Sequence, residues 1–144
     1  MFRLNVYSFF LAMLILSFGC AGIQPGVDVE SSLKKRVSAY WQHKINKEFS
    51  EAYLFESSDI REKVSLSNYI EVSAGGTIWI NADIQSVTIN GDWADVVVKL
   101  TYAFMGFYSP KGGITRNIHD YWHLEDGTWY HHLKGPKKVK KIST

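Results

Sequence analysis

The stretch Arg116-Asn-Ile-His-Asp-Tyr-Trp-His-Leu-Glu-Asp-Gly-Thr-Trp-Tyr-His-His-Leu133 decides the fold, because its own sequence predicts a hairpin of defined geometry. A two-residue turn of type I′ needs positive φ at both central residues, and the pair Asp126-Gly127 tolerates that conformation well. Apolar and polar side chains alternate on either side of this pair, as they do in strands with one buried face. We therefore expect two antiparallel strands joined at Asp126-Gly127.

The same turn predicts the register of the two strands. With Glu125 and Thr128 flanking the turn, the face with most of the large apolar side chains pairs Leu124 with Trp129, Trp122 with His131, and Asp120 with Leu133. The opposite face pairs His123 with Tyr130, Tyr121 with His132, and His119 with Lys134. The leucine and tryptophan side chains indicate that the first of these faces turns inward, which places Trp129 in the core.

Asp120 and His131 are the only ionisable side chains on the inward face of the hairpin. They are diagonal neighbours, so their backbones are expected roughly 7–8 Å apart, within reach of a bridge between the side chains. A carboxylate bonded to an imidazole fixes its tautomer and raises its basicity, which suits a catalytic acid–base pair. The alternative is structural: Asp120 pairs with a helix residue such as Arg61, or lies at the sheet edge, while His131 packs against Trp122.

The length and charge of the chain limit the classes of function. The 144 residues suffice for one domain and are too few for two ordinary ones. The net charge of +2 argues against a protein that binds nucleic acid through bulk charge. Five of the 16 lysines and arginines lie in the final eleven residues, and the lysine-rich tail, residues 135–144, is expected to be solvated and disordered, with contact to anionic lipid as the alternative.

The first 19 residues read as an export signal. Arg3 precedes an apolar run, Val6 to Phe18, that is too short to span a bilayer comfortably. Cys20, the only cysteine, follows Gly19 directly, and this position resembles the lipobox of bacterial lipoproteins, in which the cysteine is acylated and becomes the new N-terminus. The resemblance implies a lipid-anchored protein of the cell envelope, and Ala21 favours the outer membrane, facing the periplasm. Ordinary signal cleavage and an uncleaved anchor are the alternatives.

The rest of the chain predicts helices followed by strands. After a tether at residues 20–27, Asp28 is the expected N-cap of a long amphipathic helix reaching Ala52, with Arg36 on its solvated side. Two short helices follow, one that Ser57, Ser58 or Asp59 can cap, with a capping box from Asp59 to Glu62, and one that Ser67 can cap. From residue 77 the pattern predicts four to five antiparallel strands, including a hairpin at Asn90-Gly91 and a strand from Trp93 through Phe104 whose even-numbered side chains face the core. The expected class is α+β, with the helices packed on one face of a curved sheet.

This order of elements, over residues 28–134, resembles the NTF2-like superfamily, the cone-shaped α+β fold of nuclear transport factor 2 and ketosteroid isomerase. The resemblance rests on the long first helix, on Phe49-Ser-Glu-Ala-Tyr53 followed by Ser57-Ser-Asp-Ile-Arg61 and Ser67-Asn-Tyr69, and on the closing Tyr121-Trp122 with Glu125-Asp-Gly-Thr-Trp129. It implies a pocket between the sheet and the first helix. The side chains expected to line that pocket are Tyr40, Tyr53, Tyr69, Tyr102 and Trp122, and any of the four tyrosines could serve as a proton donor.

Two classes of function remain open at this stage. The preferred interpretation is a non-enzymatic envelope lipoprotein that binds a small ligand or a protein partner, through its pocket or through an aromatic outer face carrying Trp93, Tyr121 and Tyr130. The alternative is a small-pocket isomerase, dehydratase or hydrolase that uses Asp120 and His131. No cofactor is expected, and the histidines of the last hairpin lack the spacing of a metal site.

Overall fold

The structure is a computed structural model, and it describes residues 25–106 and 109–136. Four helices precede four strands: α1 (Pro25–Ile45), α2 (Phe49–Tyr53), α3 (Ser58–Lys63), α4 (Leu66–Ala74), β1 (Thr77–Asn90), β2 (Trp93–Phe104), β3 (Ile114–Glu125) and β4 (Thr128–His132). This order confirms the α+β class. The predicted signal peptide, Cys20 and residues 137–144 of the tail lie outside the described residues. Within the described ranges, no helix has the length and apolar character needed to cross a bilayer.

Helix α1 buries a stripe of apolar side chains at three- and four-residue spacing, as predicted: Leu33, Val37, Tyr40 and Trp41. Its ends differ from the prediction. The helix begins at Pro25 instead of after Asp28, which fits the preference of proline for the first helical position. It ends at Ile45 because Lys47 adopts φ 62°, and the Lys47 and Glu48 amides bond back to the carbonyls of Lys44 and His43 as in a Schellman motif.

Arg36 is not on a solvated face of α1, contrary to the prediction. Its Nε donates to the carbonyl oxygen of Trp129, and its guanidinium lies 4.5 Å from the ring centre of Phe55 and 5.0 Å from that of Tyr130. The planar, weakly hydrated guanidinium suits this position between aromatic rings. Arg36 thus connects α1 to β4.

Of the residues predicted to cap the two short helices, Ser57 is confirmed, whereas Asp59 and Ser67 are not caps. Ser57 is the N-cap of α3, without a side-chain bond, and Asp59 pairs with Lys63 instead of heading a capping box. Ser65, not Ser67, caps α4 by accepting a hydrogen bond from the Asn68 amide. Serine-rich stretches offer several cap positions, and tertiary packing selects among them.

The four strands form one antiparallel sheet in chain order. β1 is a single strand of 14 residues with two register shifts, where two shorter strands had been predicted. Its turn to β2 comprises Gly91 and Asp92, because Asn90 pairs with Trp93, and Gly91 has the positive φ, 63°, that a type II′ turn needs at its first central residue.

The last hairpin has the predicted turn and register. Asp126 and Gly127 have φ values of 48° and 78°, and Glu125 pairs with Thr128. Leu124 lies opposite Trp129 and Trp122 opposite His131, as expected; β4 ends at His132, so the predicted pairs involving Leu133 and Lys134 do not form.

The core lies between α1 and the inner face of the sheet. Trp122 is fully buried and Trp129 is 1% exposed, which confirms that the hairpin turns its tryptophan side inward. From β2 the core takes Ala94, Val96, Val98 and Leu100, as the even-numbered pattern predicted. Phe104 was expected in the core but is 43% exposed, because it lies at the far end of β2, beyond the last buried residue Leu100.

Candidate functional site

The hairpin brings Asp120 and His131 together in the interior. His131 Nε2 lies 3.1 Å from Asp120 Oδ1. Asp120 is 3% exposed and His131 is 8% exposed. The diagonal relation predicted from the turn is therefore present. The ring of His131 also stacks on Tyr40, with centroids 4.6 Å apart, and meets Trp122 edge-on at 5.8 Å, as the structural interpretation expected.

The second oxygen of Asp120 binds two indoles. Trp41 Nε1 from α1 and Trp122 Nε1 from β3 each donate to Asp120 Oδ2 at 3.0 Å. Arg61, the predicted ionic partner, is not bonded to Asp120; its guanidinium lies 5.3 Å from the ring centre of Tyr130. Asp120 thus joins the first helix to the hairpin through Trp41 and not through an arginine.

Glu56, which was not predicted as a site residue, completes this network. The residue is 1% exposed in the segment between α2 and α3. A parallel bridge places it beside His131: the Ser57 amide donates to the His131 carbonyl at 2.9 Å, and the His131 amide donates to the Phe55 carbonyl at 2.7 Å. Glu56 Oε2 then lies 2.6 Å from His131 Nδ1.

Two tyrosine hydroxyls bond to the other oxygen of Glu56. Tyr40 and Tyr69 donate to Oε1 at 3.0 Å and 2.8 Å. Burial, followed by the charge of Glu56, raises the pKa of both phenols, so they remain protonated donors. Glu56 therefore accepts three hydrogen bonds, from α1, α4 and β4.

His131 is a buried imidazolium between two carboxylates. Burial alone would lower its pKa, but the hydrogen bonds to Asp120 and Glu56 outweigh that effect and raise the pKa to about 9. Both ring nitrogens then carry protons, and each donates to a carboxylate. We call Glu56, His131 and Asp120, with these bonds, the buried triad.

A cavity of about 310 Å³ lies next to the buried triad. Its lining comes from α1, α3 and α4, from the residues flanking α3, and from the residue after β4: Tyr40, Lys44, Glu56, Ile60, Val64, Asn68, Tyr69, Val72, Ser73 and Leu133. Two of the five predicted lining residues, Tyr40 and Tyr69, are among these.

The other three predicted lining residues have different places. Tyr53 donates to the carbonyl oxygens of Arg61 and Val64, Tyr102 packs against Trp79, and Trp122 is enclosed in the core. Asp120 and His131 do not line the cavity either.

Lys44 is the cation of the cavity. The residue is 8% exposed, and its Nζ donates to Ser73 Oγ at 3.1 Å. The ammonium lies 5.0 Å from the ring centre of Tyr69, 5.7 Å from that of Phe49 and 5.9 Å from that of Tyr40, which are cation–π distances. Burial lowers the pKa of Lys44, and the charge of Glu56 opposes that shift.

Comparison with protein-family models and with curated proteins finds no match. The assignment of a function to this chain therefore rests on its own residues.

The outer face of the sheet holds three histidines and several aromatic rings in contact with one another: His119, His123, His132, Trp93 and Tyr121. Trp93 lies 4.6 Å from the ring of His123 and 5.1 Å from that of His132, and His119 bonds to Asp95. Over residues 25–106 and 109–136, no three histidine, cysteine or acidic side chains are grouped as metal ligands. The outer face thus offers stacked rings and exposed hydrogen bonds between histidines and carboxylates.

The chemistry available to an entering molecule is set by the cavity and not by the buried triad. Every nitrogen of the triad donates, and every carboxylate oxygen of Asp120 and Glu56 accepts at least one bond. Within the part of the chain that the structure describes, Lys44 instead has one hydrogen bond for three N–H groups. A ligand with an apolar body and one hydrogen-bond acceptor matches this arrangement.

Proposed function

We propose that the protein is an envelope lipoprotein, anchored through acylated Cys20, whose domain binds a small and largely apolar ligand without turning it over. The observation that carries the proposal is the cavity between α1, α3 and α4. Its volume of about 310 Å³ is at the lower end of the range of about 300–1,000 Å³ in which ligand pockets fall. Its walls combine apolar side chains with few polar groups, as such pockets do.

The state of Asp120 and His131 supports binding over turnover. A general base needs a free lone pair within reach of the proton that it removes. His131 has none while it is an imidazolium, and Asp120 is enclosed by two indoles and His131. A catalytic substrate would also have to reach these groups past Tyr40, whose ring covers His131.

A small ligand is also favoured over a protein partner on the sheet. The outer-face rings named above as a possible docking surface are engaged by neighbours: Trp93 by two histidines, and Tyr130 by the guanidinium groups of Arg36 and Arg61. Lys44, the cation of the cavity, contacts three rings but has a single hydrogen-bond partner among the described residues, Ser73.

The NTF2-like cone and the lipid anchor are parts of the same proposal. The long first helix, the short helices after it and the antiparallel sheet with its closing Asp-Gly hairpin support the cone. Cys20 at the end of an apolar export run supports the anchor. An anchored domain with a small pocket would act at the outer membrane, on the periplasmic side.

Protein-observed NMR of the full chain in lipid nanodiscs tests the binding function. Titration with 1-octanol, a neutral probe, should shift the amide resonances of Asn68 and Ser73, which line the cavity. Val64→Trp places an indole in the cavity and should abolish these shifts. Leu54→Trp is the matched control, because Leu54 is 61% exposed and does not line the cavity. Equal shifts in all three proteins, or none in the wild type, would refute the proposal.

A further inference from the structure

Lys44 is a buried charge without an ionic partner among the described residues. No carboxylate oxygen of residues 25–106 and 109–136 lies within 4 Å of its Nζ. The ion pairs that form within this distance involve other side chains. Buried charges in proteins are normally paired and hydrogen-bonded, because an ammonium loses much hydration on burial. One hydrogen bond to Ser73 and the contacts with three aromatic rings compensate only part of this lost hydration.

Glu56 does not fill this role, although it lines the same cavity. One of its oxygens accepts from Tyr40 and Tyr69, and the other lies at 2.6 Å from His131. Its negative charge is thereby shared with an imidazolium that is closer than Lys44. Residues 25–106 and 109–136 offer no acceptor to the two remaining N–H groups of Lys44, so an occupant of the cavity can supply one.

The rest of the lining limits the body of that occupant. Ile60, Val64 and the ring of Tyr69 form apolar walls, and Val72 and Leu133, at 71% and 69% exposed, lie at the rim. A water molecule occupies about 30 Å³ of the liquid, so the cavity has room for a ligand of about ten non-hydrogen atoms. A single ammonium with one serine suits a monoanion better than a phosphate, which is typically bound by bidentate arginines or helix N-termini.

On the basis of the proposed function, we propose that the ligand is an apolar monocarboxylate of about ten non-hydrogen atoms, with its carboxylate on Lys44 and Ser73. The carboxylate forms a charge-assisted hydrogen bond with the ammonium, and the chain or ring of the ligand lies against Ile60, Val64 and Tyr69. Because the oxygens of Glu56 are bonded to Tyr40, Tyr69 and His131, the ammonium of Lys44 is the charged group of the cavity that has N–H donors left for the entering anion.

Octanoate and octanamide are the matched probes for this site, since they have the same number of non-hydrogen atoms and differ in charge. Isothermal titration of the full chain in nanodiscs at pH 7, with empty nanodiscs as the blank, measures both. Octanoate should bind the wild type about ten- to a hundredfold more tightly than octanamide, which is the range of a hydrogen bond to a charged group.

Lys44→Met keeps the length and apolar stem of the side chain while removing its charge. This variant should lose the preference for octanoate and retain the affinity for octanamide, which also shows that it is folded. Lys35→Met is the control, because Lys35 is exposed on the same helix. Its affinities should equal those of the wild type.

The outcomes separate the ligand class from the binding function. Equal affinity of the wild type for octanoate and octanamide would overturn the anionic class and leave the binding function in place. An octanoate preference that survives Lys44→Met would overturn the assignment to Lys44. If neither probe binds while 1-octanol still shifts the Asn68 and Ser73 resonances, the monocarboxylate ligand is refuted and the binding function is not. If 1-octanol causes no shifts either, both proposals are refuted.

Discussion

The pH dependence of folding stability tests the charge assigned to His131. Its pKa is about 9 in the folded protein and about 6.5 in an unfolded chain. The folded state therefore holds the proton more tightly, and this contribution is complete below pH 6.5 and disappears as the pH rises through 9. The difference corresponds to about 3 kcal/mol, a considerable part of the stability of a small domain. The side chain is only 10% exposed, so solvent screening removes little of this.

Urea unfolding at pH 6 and pH 9.5, followed by tryptophan fluorescence, measures the effect. The wild type should lose about 3 kcal/mol of unfolding free energy between these values. The upper value stays below the range in which Tyr40 and Tyr69 contribute, because phenols kept neutral in the folded state ionise on unfolding only near pH 10. Lys44 acts in the opposite direction, since its lowered pKa makes the folded state bind its proton less tightly.

Two substitutions isolate His131 from the other groups. His131→Gln removes the titrating ring and leaves two buried carboxylates without their cation, which should cost about 3–5 kcal/mol at pH 6 and less at pH 9.5. His119→Gln is the control, because His119 pairs with Asp95 on the exposed outer face and its side chain is 62% exposed. A wild-type stability that is flat from pH 6 to 9.5, or equal slopes in the wild type and His131→Gln, would refute the imidazolium.

Three further predictions concern other parts of the chain. Trp129→Ala should lower the free energy of unfolding by about 3–5 kcal/mol in urea melts, because the side chain is 1% exposed; a loss of a few tenths would contradict its place in the core. Arg36→Lys should lower the free energy of unfolding by about 1 kcal/mol or more in the same urea melts, because an ammonium lacks the planar group that lies between Phe55 and Tyr130. An unchanged melt would show that these contacts do not contribute to stability. Cys20→Ser should move the protein out of the membrane fraction or leave an unprocessed precursor, and unchanged fractionation and gel mobility would reject the lipid anchor.

The last hairpin could be predicted from the sequence almost completely, because its information is local. Asp126-Gly127 determines the turn, and the alternation beside it determines the face, so Trp122 and Trp129 fall in the core without knowledge of the helices. The end of α1 was not predicted, because it depends on Lys47 in a left-handed conformation. The usual sequence signal for such a position is a glycine, and this chain has a lysine there.

The site was predictable only as far as it lies in that hairpin. Asp120 and His131 follow from the register, but Glu56 reaches His131 through a bridge between segments 75 residues apart in sequence. No periodicity marks a carboxylate between two short helices. A weak signal was available in Phe55-Glu56-Ser57, where an acidic residue follows an aromatic helix end directly; it does not specify a partner. Lys44 was missed for the same reason, since α4 covers it from a distant part of the sequence.

The two cations of the interior differ in a way that distinguishes scaffold from site. His131 uses both of its N–H groups on carboxylates of the protein, so the protein itself satisfies its charge and hydrogen bonds. Lys44 uses one of three, and its remaining donors face a cavity with room for about ten non-hydrogen atoms. A group whose hydrogen bonds are complete stabilises the fold and keeps its shape. A buried group with unused donors instead lowers the free energy of the complex when a ligand supplies the missing acceptor. Because Glu56 belongs to the triad and also lines the cavity, octanoate bound at Lys44 should also stabilise the fold, and in Lys44→Met this gain should fall to that given by octanamide.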